Sequence, residues 1–390
     1  MEIFSENIDS IKKELELIKE SFIKTNYKRL PDSFEMLEGF YQIMYEINGE
    51  EDPETVDILL KNKKYRELKG RERQLLHKKN INNFIKDKNM HNMFSGKVIN
   101  VYNDKEFRYF NPKPLYLRES QMAEILCDFL NDEFNQADKF IEMAEDGRIF
   151  KVSFEEDPND VYGTGGYTMY DYINNKSFIV VGDDKVIKDV NMMRIIAHEF
   201  GHAADNFERT DVSRKDNVRY YWVSSYAEVY SMLYEQLFFE YLIKNNIHRE
   251  NASAGLKQYY LGIYDSFNSV EYLSNLEDKL LENERYKQEN NIVDQITIGE
   301  NGTISFDAAI LENFNETKLY SYGGIIANYF ANLKHNDPDK FNRELINFKA
   351  KRFNLFDFKI FEDIGTSIDE IIKIYDKDLD KITNKKLILK

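Results

Sequence analysis

Residues 198–202 read His-Glu-Phe-Gly-His, directly after the run Met192-Met193-Arg194-Ile195-Ile196-Ala197. On a helix, positions i and i+4 share a face, so His198 and His202 stand together. The apolar flanks would bury the pair, and buried imidazoles need polar partners. No other stretch constrains the fold as much. The segment must be helical, and another part of the chain must bring complementary groups to it.

A single metal ion would satisfy both imidazoles. Glu199, one residue on, lies beside that ion. There it can take a proton from water and return it to a leaving amine, which is why metal-dependent peptide hydrolysis uses these residue types at this spacing. Two His leave a tetrahedral zinc site one protein ligand short. Glu228 follows 26 residues after His202, and Glu235 lies seven residues further along the same face of a helix. That helix is otherwise apolar and aromatic, with Leu237, Phe238, Phe239, Tyr241 and Leu242. One carboxylate can ligate the metal while the other orients a His ligand from behind. Ser225-x-x-Glu228 also matches a capping box, but a cap leaves Glu235 unexplained.

Only six Pro and 17 Gly punctuate 390 residues, which favours long helices over a turn-rich β fold. Helical periodicity runs over residues 6–25 and 34–47, and residues 54–88 are charged and helical in character. Residues 97–116 read as irregular or extended. One or two amphipathic helices cover 118–145, and Ser177–Val181 reads as a strand. Helix returns from about 189, a hairpin is expected within 291–306, and helices follow to the end. The length is more than one compact core usually holds. The expected division is an N-terminal helical region, 1–118, and a catalytic region, 119–390.

The charge balance bears on partners. With 53 basic and 69 acidic residues the net charge is −16, which disfavours nucleic acid and anionic membranes. The longest uncharged run, Leu319–Leu333, has 15 residues, too few to span a bilayer. The single cysteine, Cys127, reads as a core residue, since Ala123 and Leu130 flank it at helical spacing. No signal peptide is evident, so a cytoplasmic location is expected. His77, His91 and His248 sit among polar neighbours and read as surface residues. Gly163-x-Gly165-Gly166 lacks the spacing and the Lys of a phosphate loop.

The helix HEFGH, followed by Glu228, Ser231 and Glu235, resembles the thimet oligopeptidase and oligoendopeptidase F family of zinc metallopeptidases. Gly165-Gly166-Tyr167 before Ser177-Phe178-Ile179-Val180-Val181 resembles that family's element before its active-site edge strand. Leu319-Tyr320-Ser321-Tyr322-Gly323-Gly324 resembles its Tyr-x-Tyr element. The resemblance covers roughly residues 120–330.

It implies a mainly α, two-lobed fold with a small sheet beside the HExxH helix and a deep substrate channel. The implied activity is zinc-dependent hydrolysis of internal bonds in short peptides, with one Zn2+ per chain. His198, His202 and Glu228 would be the ligands, Glu199 the general base and Glu235 the residue behind a ligand. Tyr320 and Tyr322 would stabilise the tetrahedral intermediate, and Ser177, Phe178, Ile179 and Val180 would pair with substrate as an edge strand. Two features depart from the family. No His stands at 310–315, upstream of the tyrosines, and Asp205 occupies a position where members often have a further His. Two rival readings are a zinc endopeptidase with a dedicated protein target, and a non-catalytic helical module that binds peptides.

Overall fold

A computed structural model of the chain describes residues 89–103, 115–152, 165–171, 176–182, 190–207, 228–289, 306–351 and 358–383, with isolated positions elsewhere. The expected hairpin at 291–306, Ser225 and His77 lie outside the described residues. Mainly helical architecture with one small sheet is what the chain adopts.

In chain order the elements are α1 (89–103), α2 (Glu119–Phe134), α3 (Ala137–Glu145), β1 (Ile149–Val152), β2 (Gly166–Asp171), β3 (Lys176–Gly182) and α4 (Val190–Phe207). There follow α5 (Val229–Lys244), α6 (Arg249–Glu289), α7 (Phe306–Asn336), α8 (Pro338–Lys351), α9 (Lys359–Asp363) and α10 (Ile368–Thr383). The chain forms two compact units that alternate along the sequence. One comprises Met1–Gln74, Phe110–Arg219 and Leu233–Gly255, and the other Leu75–Tyr109, Tyr220–Met232 and Leu256–Lys390.

In the first unit the sheet order is β1-β3-β2. β3 pairs parallel to β1, with Ile149 opposite Ile179, and antiparallel to β2, with Thr168 opposite Ile179. The strand expected to be an edge is therefore the middle one. Its position follows from its composition: Phe178, Ile179, Val180 and Val181 are all buried, as a strand covered on both faces requires. β1 covers it at Ile179–Gly182 and β2 at Lys176–Val181, so neither edge is open at Ile179 or Val180. α4 packs across β2 and β3. α2 turns into α3 at Asn135, which adopts the left-handed conformation of a helix C-terminus (φ 54°). Phe129 meets Phe238 edge-on at 5.3 Å, and Phe134 stacks on Tyr234 at 3.8 Å, joining α2 to α5.

In the second unit, helix continues to residue 103 where an irregular stretch from 97 was expected. His91, Phe94, Val98 and Tyr102 form one buried stripe at helical spacing, and burial of that stripe holds the helix. A polar chain threads the core. The Tyr102 hydroxyl donates to the Tyr260 carbonyl (2.7 Å), and the Tyr260 hydroxyl to Asn328 Oδ1 (2.6 Å). Asn328 Nδ2 then donates to Asp378 (3.3 Å). Among the described residues no helix is long and apolar enough to cross a membrane. Cys127 is partly buried and free of disulfide bonds.

Candidate metal centre

The site is built on α4. Met193, Ile196, Ala197, Phe200 and Ala203 are fully buried, and they fix the helix face-down on the sheet. On such a fixed helix the side chains at 194, 198 and 202 project in one row. The His198 and His202 rings lie 5.2 Å apart, nearly perpendicular at 79°. Glu228, just before α5, completes the group. One ligand atom from each of His198, His202 and Glu228 lies within 4.8 Å of the other two. Two imidazole nitrogens and a carboxylate oxygen suit a divalent cation of zinc's preferences.

Each of the three acidic groups has a defined support. Glu235 accepts from Arg194 Nη1 at 3.0 Å, and its other oxygen lies 2.9 Å from His198 Nδ1. With Nδ1 engaged, His198 has Nε2 to offer a metal. Burial alone would raise the Glu235 pKa, but the Arg194 charge and the His198 hydrogen bond outweigh it and hold the carboxyl below its usual range. Arg194 is itself oriented through Nε, which donates to Asn191 Oδ1 at 2.8 Å.

Glu199 is buried, and the Thr168 hydroxyl lies 2.8 Å from both its Oε2 and its backbone carbonyl. The hydroxyl can donate to either and thereby restricts the carboxylate. Gly166 allows this approach. A Cβ there would stand 2.9 Å from Glu199 Cγ and 2.9 Å from Ile195 Cγ2, so the strand backbone lies against the helix where no larger residue fits.

Ser231 supports Glu228. Its hydroxyl lies 2.9 Å from the Glu228 carbonyl and 2.9 Å from Oε2. The Met232 amide donates to the same carbonyl, so Glu228 opens the first turn of α5. On α7, Gly323 backs this ligand: a Cβ added there would stand 3.0 Å from Glu228 Cβ.

The two tyrosines occupy different settings. Tyr320 is 46% exposed, and it precedes Gly323 by three residues, hence on a neighbouring part of the same helix face. Tyr322 is fully buried, with its hydroxyl 2.6 Å from His91 Nδ1. Desolvation drives that phenol's pKa far up. His91, expected on the surface, is thus a core residue, and its partner Tyr322 explains how a buried imidazole is tolerated.

Thr168 and Arg194 were not singled out by sequence reasoning, and His91 was read only as a surface residue. Arg194 had a readable signal, being the one charged residue in the apolar run before His198 and four positions from it. Ser177–Val180 lie in the central strand, where Ile179 and Val180 are paired on both sides and Ser177 and Phe178 with β2 alone.

No protein-family model matches the chain, and no curated protein does. Among solved structures it is similar to a presumed peptidase from Chlamydophila abortus, at 15% identity and TM-score 0.46, over 81% of this chain and 56% of that one. It is similar to a presumed oligoendopeptidase F, at 14% identity and TM-score 0.48, over 76% of this chain and 59% of the other. A third is PZ peptidase A with an inhibitor, at 12% identity and TM-score 0.44, over 74% of this chain and 56% of that one. The chain spans 56–59% of their lengths. At such identities residue roles are not carried across.

Proposed function

We propose that the chain is a zinc-dependent peptidase that hydrolyses internal bonds of short peptides. The observation that carries this reading is the convergence of His198 and His202, on the helix that also bears Glu199, with Glu228, all within 4.8 Å. Catalysis belongs to the 119–390 region, which holds all of these residues.

Zinc held by His198, His202 and Glu228 would polarise the substrate carbonyl and make water a better nucleophile at neutral pH. Glu199 takes the proton from the attacking water and passes it to the leaving amine. Thr168 keeps the Glu199 carboxylate in one orientation through that transfer. Glu235 holds His198 by Nδ1, and Arg194 keeps Glu235 ionised. Charge builds on the carbonyl oxygen as the tetrahedral intermediate forms, and a phenol can donate to it. Of the two tyrosines, Tyr320 is the better donor, because it is exposed on the face that Gly323 shares. Tyr322 stands behind it as a buried anchor.

The peptide backbone is assigned to β2. Among the described strands β2 pairs only with β3, and its Gly166 and Thr168 touch Glu199. An extended peptide added along the other edge of β2 would run past the general base.

The test is cleavage of quenched peptides of graded length by purified protein, with and without a chelator. The expected result is chelator-sensitive cleavage that falls off with length and is lost in Glu199→Gln, which still binds zinc. Zinc-loaded protein that cleaves none of the peptides would remove the peptidase reading.

A further inference from the structure

His91 and Tyr322 form a buried polar pair to which the mechanism above gives no chemical step. Their hydrogen bond joins α1 to α7 at 2.6 Å. Tyr322 sits in an aromatic box, stacked on Phe94 at 5.4 Å, with Phe267 edge-on at 5.6 Å and Phe358 edge-on at 6.3 Å. A phenol enclosed in this way does not reach substrate. Its hydroxyl needs a polar partner inside the box, and His91 provides one.

This bond has a geometric consequence at the next residue. With the ring contacts to Phe94, Phe267 and Phe358, it holds α7 at position 322 against α1. Gly323 then faces Glu228, where an added Cβ would stand 3.0 Å from Glu228 Cβ and 3.4 Å from its carbonyl carbon. Gly324 presses in the same manner on Ile263 and Met232, at 2.4 and 2.9 Å from such a Cβ. The two glycines make α7 a flat wall behind the first turn of α5. Rotation of α7 by even part of a residue would drive that wall into Glu228 or withdraw it.

We propose that His91 is a positioning residue for the metal ligand Glu228, acting through Tyr322 and the Gly323-Gly324 wall. The proposal rests on the metal-centre reading above. It also gives α1, which brings no ligand to the centre, a part in its geometry.

The experiment measures Zn2+ affinity by competition with a chromogenic chelator, with the unfolding temperature recorded for every variant. His91→Phe takes away one partner of the buried Tyr322 hydroxyl and leaves it only Ser95 nearby, so the unfolding temperature falls. Zn2+ affinity is expected to drop about tenfold, the lower end of the loss seen when support behind a metal ligand is removed. The double variant His91→Phe/Tyr322→Phe removes both polar groups, and its unfolding temperature recovers. Its Zn2+ affinity stays low, because the aromatic box remains but the hydrogen bond that ties α7 to α1 is gone. His91→Asn, whose amide reaches the place of Nδ1, restores affinity. A double variant that binds Zn2+ as tightly as the wild type would reduce the pair to packing and overturn the proposal. If the wild-type protein binds no Zn2+, the metal centre and the proposal fall together.

Discussion

The Glu235 carboxylate lies 2.9 Å from His198 Nδ1, although the two residues are 37 positions apart and on different helices. The contact fixes which ring nitrogen of His198 is available. In the proposed centre it places Glu235 behind a ligand.

Glu235→Gln should therefore weaken metal binding while sparing the fold. The amide keeps the shape and can still accept from Arg194, but it lacks the charge that makes His198 a stronger donor. A loss of about 10- to 100-fold in affinity is expected, read by chelator competition. Unchanged affinity would show that His198 needs no support from behind.

Thr168→Val removes the hydroxyl beside Glu199 and keeps the side-chain volume. The stability cost should be about 1 kcal/mol, while kcat falls and KM holds, because only the general base is loosened. Thr168→Ser should recover most of the rate. Steady-state kinetics on the three proteins decide the matter, and equal kcat in the Val variant would assign Thr168 to packing alone.

Gly166→Ala tests the close approach of β2 to α4. The new methyl would meet Glu199 Cγ and Ile195 Cγ2 at 2.9 Å each. Overpacking of this kind costs about 1–3 kcal/mol. Thermal unfolding should register the loss, and activity should fall further than stability does, because Glu199 is one of the atoms displaced.

Metal removal should lower stability. A ligand bound only by the folded state adds about 4 kcal/mol at a thousandfold excess over its Kd. Unfolding temperature should rise with added Zn2+ and fall with chelator. In Glu228→Ala the dependence should shrink strongly, and a variant with the full zinc response would show that Glu228 is not a ligand.

The candidate metal centre was legible because its residues fall into two local groups. His198, Glu199 and His202 share one helical turn, and Glu228 and Glu235 share one helix face, so periodicity alone groups them. The supports were hidden for the opposite reason. Thr168 reaches Glu199 from a strand, and His91 reaches Tyr322 across 231 residues of chain. No local pattern encodes such pairings. His91 did carry a trace, being in register with Phe94, Val98 and Tyr102, but its charged and polar neighbours masked the stripe. The strand 176–182 was correctly read as a strand and wrongly placed in its sheet. Its unbroken apolar run was the sign of a central strand, whereas strand order itself depends on pairing partners far along the chain.

The first turns of α5 act as a ruler. Glu228 and Glu235 are held about 10 Å apart along the axis by seven rises of helix, one serving the metal and the other serving His198. A single inserted or deleted residue between them would turn one carboxylate by about 100° relative to the other. Ser231 and Tyr234 are tied to their own partners, and the length of the stretch cannot drift. Chains descended from this one should keep the number of residues in 229–234.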